Sequence, residues 1–201
     1  MTMVDADWWS MLRALDEPVA AAESIGRESI LRALVAGTMP ESMLAALHQR
    51  VARGEGDALA APRDFDHAGT QGRFERLTER LSEAYGCPCD SALAQDSACF
   101  GSIRIPAEAS RSHTKRTRIP LPLVVSVSAF GGLATYAASS PSDHKPYLHP
   151  DDRRQIEHAL AGLGYLVVPE HILAAPYDGP NGWVFGPGAD ATWFTRFFNH
   201  L

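Results

Sequence analysis

Pro122-Leu-Val-Val-Ser-Val-Ser-Ala-Phe-Gly-Gly-Leu-Ala-Thr-Tyr-Ala-Ala138 reads as two strands with a turn between them. Val125, Val127 and Ala129 alternate with Val124, Ser126 and Ser128, a period of two that marks a strand with one buried face. Leu133, Thr135 and Ala137 then alternate with Ala134 and Tyr136. Gly131-Gly132 joins the runs, and glycine reaches the positive φ that tight hairpin turns need. Upstream, Phe100-Gly-Ser-Ile-Arg-Ile105 predicts a third strand, stopped by Pro106. These strands are expected to form the sheet on which the helices pack.

Working outward, the spacing of Phe74, Leu77 and Leu81 predicts a helix from about residue 71 to Tyr85, closed by Gly86. Residues 87–93 are either a short strand or an irregular crossing. Pro150-Asp151-Asp152 opens a helix, with proline in its first turn and acids at its positive end. Ile156, Leu160 and Leu163 continue it to Gly164. Tyr165–Val168 reads as a short apolar strand, and Glu170–Leu173 as one helical turn. Residues 176–190 are rich in Gly and Pro and are expected to be irregular. Residues 192–201 carry Trp193, Phe194, Phe197 and Phe198 and predict an aromatic helix packed on the sheet.

The N-terminal part is helical by pattern. Trp8, Met11, Leu12 and Leu15 share one helix face. Residues 28–36 and 43–51 repeat at helical spacing, and Gly37 and Thr38–Glu41 supply a C-terminal glycine and a capping box. Residues 53–69 show no period and read as a linker. The expectation is an α+β chain: a helical section over residues 1–60, then a domain over 70–201 built on an antiparallel sheet of four or five strands flanked by helices.

The chain has 201 residues, 45% of them hydrophobic, enough for one core. No apolar run is long enough to cross a bilayer, and the N-terminus lacks a secretory pattern, so a cytoplasmic location is expected. Cys87, Cys89 and Cys99 suit a reducing compartment, and their spacing argues against a zinc site. The net charge of −6 comes from residues 1–90, with 15 acids against 9 arginines; residues 91–201 balance at 9 against 9. The acidic half argues against nucleic acid as a partner. Residues 107–121 run the other way, with Arg111, His113, Lys115, Arg116 and Arg118 against Glu108. That run reads either as a solvated loop or as a contact for an anion or an acidic partner.

The sequence contains no phosphate loop, nucleophile elbow or zinc-protease motif, and no cofactor is expected. Asp96, Ser97 and Cys99 are the first suspects for a concealed site. Their other reading is a turn held by side-chain bonds to backbone amides. A hydrolase using Asp96, His113, His144 or His149 is one alternative function, and an oligomeric structural or regulatory subunit another.

Three patterns carry a resemblance. They are Val168-Pro169-Glu170 with Pro176-Tyr177-Asp178-Gly179 and Thr192–Phe198, the Ser128–Thr135 hairpin, and Phe100–Ile103. Across residues 71–201 the chain resembles immunity proteins of bacterial polymorphic toxin systems, delivered by contact-dependent or type VI machinery. The resemblance implies a protein that is not an enzyme and that binds and blocks one cognate toxin. It carries over no functional residue. From the residues themselves, Asp5, Asp7, Asp16 and Glu17 are candidates to meet a basic toxin cleft, and Trp8, Trp9 and Trp183 are candidate apolar anchors. The plainer expectation for Trp8 is that its helix face docks on the body.

Overall fold

In the computed structural model, which describes residues 4–16, 61–62, 65–94, 98–115, 118–139, 146–185 and 190–198, with backbone alone at 183 and 184, the hairpin is the centre of a five-stranded sheet. Its strands are β1 (Asp90–Leu93), β2 (Cys99–Ile105), β4 (Leu123–Ser128), β5 (Leu133–Ala138) and β7 (Leu166–Val167), in the order β1-β2-β4-β5-β7. Two further strands, β3 (His113–Thr114) and β6 (Pro146–Tyr147), form a separate two-stranded sheet.

The alternation seen in the sequence sets the pairing. Ile103 faces Val125, and Ile105 faces Leu123. These four side chains and Val127 are fully buried, while Ser102, Val124 and Ser126 are half-buried and Arg104 is exposed. Each buried aliphatic side chain contributes about 1.5–3 kcal/mol. Gly131 (φ 57) and Gly132 (φ 68) take up the positive φ expected of them. Ser128 departs from the alternation: it is buried, and its hydroxyl donates to the Ala98 carbonyl and accepts from the Phe130 amide.

The sheet is mixed rather than wholly antiparallel, which corrects the sequence expectation. β1, β2, β4 and β5 pair antiparallel, but β7 runs parallel to β5. The cause is the helix between β5 and β7, Pro150–Ala161: a crossover brings the chain back in the direction it left, whereas a hairpin reverses it.

We number the helices α1 (Asp5–Leu15), α2 (His67–Tyr85), α3 (Pro150–Ala161), α4 (Glu170–Leu173) and α5 (Trp193–Phe198). α2 begins four residues before the expected start, inside the stretch read as linker. The Asp66 carboxylate accepts from the Gly69 amide and caps it. α2 ends as expected at Gly86 (φ 64), with the Cys87 amide bonded back to the Ser82 carbonyl at 3.1 Å. Its buried Phe74, Leu77 and Leu81 lie on the sheet and beside α3.

Close approach fixes Gly101 on β2. A Cβ there would lie 2.8 Å from the Ala92 carbonyl oxygen and 2.9 Å from Phe74 Cζ. Gly101→Ala is therefore expected to cost about 1–3 kcal/mol by overpacking. Urea unfolding measures this, and a neutral result would mean that α2 and β1 yield without loss.

α1 joins the same core through Trp8 and Leu12, with Trp9 half-buried at 6.2 Å from the Trp193 ring. α5 closes that side with Trp193, Phe197 and Phe198 buried and Phe194 exposed. The expected helices at 28–36 and 43–51, and most of the linker between the two expected sections, lie outside the described residues.

Candidate functional site

The described part of the basic run, residues 107–115 and 118–121, holds a short strand that the sequence reading did not anticipate. After β2 the chain turns through 106–110 and meets the first turn of α3. Asp152, buried at 1% exposure, gathers it there. Its Oδ2 accepts from the Ser112 hydroxyl at 2.6 Å, the Arg111 amide at 3.0 Å and the Ser110 hydroxyl at 3.2 Å. The Ser112 hydroxyl in turn accepts from the His149 amide at 3.0 Å. A buried carboxylate with three donors, at the positive end of a helix, is well satisfied. It fixes residues 110–112 against α3 and leaves Arg111 pointing outward.

From Ser112 the chain enters β3, which pairs with β6 through His113 with Tyr147 and Thr114 with Pro146. Thr114 then closes the tip. Its amide donates to the Ile119 carbonyl, its hydroxyl accepts from the Ile119 amide, and its carbonyl accepts from the Arg118 amide. Arg118 is held at φ 54, and among the described residues no other non-glycine has positive φ. Backbone in that region costs an ordinary residue on the order of 1 kcal/mol and persists only where its surroundings impose it.

The outcome is a cleft of about 540 Å³ lined by Arg111, His113, Lys115, Arg118, Tyr147 and His149. The His113 and Tyr147 rings meet edge to face at 4.9 Å, and the His149 ring lies 6.3 Å beyond Tyr147. His149 caps α3: its Nδ1 accepts from the Asp151 amide at 3.1 Å, which leaves Nε2 to donate. Asp151 is the acid beside the cleft. It pairs with Arg111 and Arg154, and its Oδ2 lies 3.7 Å from His149 Nδ1. Lys115 and Arg118 meet no carboxylate among the described residues. Fixed cations around an open cavity concentrate anions.

A second cluster joins the two ends of the chain. Asp16 follows α1 directly and is buried at 1% exposure. Its Oδ1 accepts from Arg196 Nε at 2.6 Å and from Asn181 Nδ2 at 2.9 Å, and its Oδ2 accepts from the Tyr177 hydroxyl. That hydroxyl accepts from the Asn181 amide, and the Arg196 guanidinium lies over the Phe130 ring at 4.7 Å. The cluster clamps α1, the 176–181 loop and α5 together.

The candidate binding residues from sequence therefore divide. Trp8 and Asp16 are internal: Trp8 docks on the body as the plainer expectation has it, and the burial of Asp16 takes it off the surface. Trp8 belongs to the stripe that docks α1, and Asp16 is drawn in by Arg196. Asp5 and Asp7 are exposed at the start of α1, with Asp5 Oδ1 at 3.2 Å from His171 Nε2. Trp9 packs toward Trp193. Trp183 falls in the 3₁₀ turn Gly182–Phe185 with its side chain outside the described set, and Glu17 lies outside the described residues altogether.

Of the suspected catalytic groups, His113 and His149 share the cleft, whereas Asp96, Ser97 and His144 lie outside the described residues. Cys99 is buried at the start of β2. Burial pushes the Cys99 and Cys89 thiols up, which disfavours the thiolate. Cys87 and Cys89 are free. Among the described residues no three His, Cys, Asp or Glu side chains gather as metal ligands, and no helix is long and apolar enough to cross a membrane.

Burial also raises the phenols of Tyr85, Tyr136, Tyr165 and Tyr177, with neighbouring acids adding to it at Tyr85 (Asp152), Tyr136 (Glu157) and Tyr177 (Asp16). A phenol whose pKa is higher folded than unfolded stabilises fully below the unfolded value and loses that contribution as pH rises. Stability is therefore expected to fall above about pH 10, where unfolded tyrosine ionises. Tyrosinate absorbance in the folded protein should lag behind that of the urea-unfolded chain, and coincident titrations would contradict the burial of these rings.

Sequence reasoning found the cations of the cleft but missed Tyr147 and the scaffold behind them. The signal was a pairing across 40 residues: Ser110-Arg111-Ser112 offers donors that Pro150-Asp151-Asp152 can accept. No family model matches the chain, and neither a curated protein nor a solved structure matches it.

Proposed function

We propose that the chain is an immunity-type binding protein, which neutralises a toxin by direct contact and seats an acidic segment of it in the cationic cleft. The observation that carries this reading is the cleft itself. Lys115 and Arg118 extend from a tip closed by Thr114, and Arg111 from a segment bonded to Asp152. Cations mounted on a rigid base lose less freedom on binding than cations on a loose loop, so more of their attraction appears as affinity. Complementary charge also speeds association and selects the partner. The sequence resemblance to toxin immunity proteins supports the same reading. The protein works by binding rather than catalysis, needs no cofactor, and acts in the cytoplasm, where the free thiols of Cys87 and Cys89 persist. The acidic pair Asp5 and Asp7 offers a second surface of opposite sign.

Calorimetry of the full chain with each protein encoded beside it tests this. We expect a one-to-one complex with a dissociation constant below about 1 μM. No heat of binding at concentrations about a hundredfold higher would refute the proposal.

A further inference from the structure

We propose that the base of the cleft is a seat for a phosphate-class dianion, either free phosphate or the phosphate of a monoester. This goes beyond the partner reading and does not depend on it, although a bound phosphate would compete with an acidic segment for the same cations.

Three observations meet here. The first is composition: Arg111, Lys115 and Arg118 converge with His113, His149 and Tyr147 around one cavity, with Asp151 the acid beside them. Asp151 is already shared between Arg111 and Arg154, so it does not neutralise Lys115 or Arg118. The second is an unmet need. His113 Nδ1 is shut off from solvent and has no hydrogen-bond partner among the described residues, although the ring borders the cavity. A buried polar atom without a partner is unfavourable, and a turn of the His113 ring that opens Nδ1 to a ligand in the cavity relieves it. The third is the backbone of Arg118, held at φ 54 beside the cavity, the kind of imposed strain that concentrates where ligands are gripped.

The donor set favours a tetrahedral oxyanion over a carboxylate. A carboxylate presents two oxygens in one plane. A phosphate monoester presents three terminal oxygens and close to two charges, matching the guanidinium, ammonium and imidazole groups that line the cavity. The edge-to-face His113–Tyr147 pair would then lie against whatever organic group the phosphate carries.

Calorimetry of the full chain at low ionic strength tests the seat, with inorganic phosphate in one arm and adenosine monophosphate in the other. Saturable one-to-one binding is expected in at least one arm. Binding in both assigns the seat to a monoester, and binding of phosphate alone assigns it to the free ion. Lys115→Ala with Arg118→Ala should weaken binding at least about tenfold, by removal of two charge-assisted contacts. Arg153→Ala, an exposed change on α3 outside the cavity lining, should leave it unchanged. Circular dichroism of each variant verifies the fold. No saturable binding in either arm up to about 10 mM would overturn the proposal, as would equal binding by the double variant. Neither outcome bears on whether a protein partner binds, so the two readings fail separately.

Discussion

Asp16→Ala lowers the unfolding free energy by about 3–5 kcal/mol, the cost of breaking a buried ion pair from one side. Asp16 and Arg196 are both fully enclosed, and their side chains meet at 2.6 Å. Losing the carboxylate takes the ion pair from the Nε of buried Arg196 and removes the acceptor for the Tyr177 hydroxyl and the Asn181 amide group. The effect also spreads, because these residues hold α1 and α5 to the 176–181 loop. Denaturation in urea reads the loss directly. Asp16→Asn keeps the shape but not the charge, and should retain a minor part of the stability. By contrast Arg13→Ala, which breaks the exposed Arg13–Asp178 pair, should cost less than about 1 kcal/mol. A loss below 1 kcal/mol for Asp16→Ala would mean that the clamp adds little to what the aromatic core already supplies.

The second large effect belongs to the cleft. Lys115→Glu with Arg118→Glu should weaken binding of the acidic toxin segment by about a hundredfold at low salt, from two reversed charges at one contact. Most of the change should appear as slower association, and the wild-type affinity should fall more steeply with salt than that of the variant. Both side chains are exposed and meet no carboxylate among the described residues, so the fold should be unaffected. An unchanged affinity would move the contact away from the cleft, with the acidic start of α1 as the next surface to reverse.

The sheet was legible because its information is local. A period of two at 124–129 and 133–137, and glycines at 131 and 132, specify strands and a turn without knowledge of the rest of the chain. The parallel placement of β7 was not legible in the same way. Leu166-Val167 reads as a strand in either direction, and only the helix between it and β5 determines which.

The sites follow a similar division. The run Arg111–Arg118 was visible as charge, but charge alone does not separate a loose loop from a rigid one. What anchors its start is Asp152, which reads as a helix-opening acid and binds Ser110, Arg111 and Ser112 across about 40 positions. Asp16 shows the opposite error. As one more acid in an acidic half, it reads from sequence as a surface residue. Its partner Arg196 lies 180 residues away in a stretch read for its aromatics. Charged residues that find long-range partners are the ones a local reading misplaces, because burial is affordable only once the partner is in place.

The central claim is neutralisation by binding, and survival of cells tests it most directly. Each protein encoded beside this chain is induced in a sensitive bacterial strain with the chain, without it, and with the Lys115→Glu, Arg118→Glu variant. The account predicts growth with the wild-type chain, arrest without it, and weakened protection by the variant. Arrest in the presence of the well-expressed wild-type chain would contradict it.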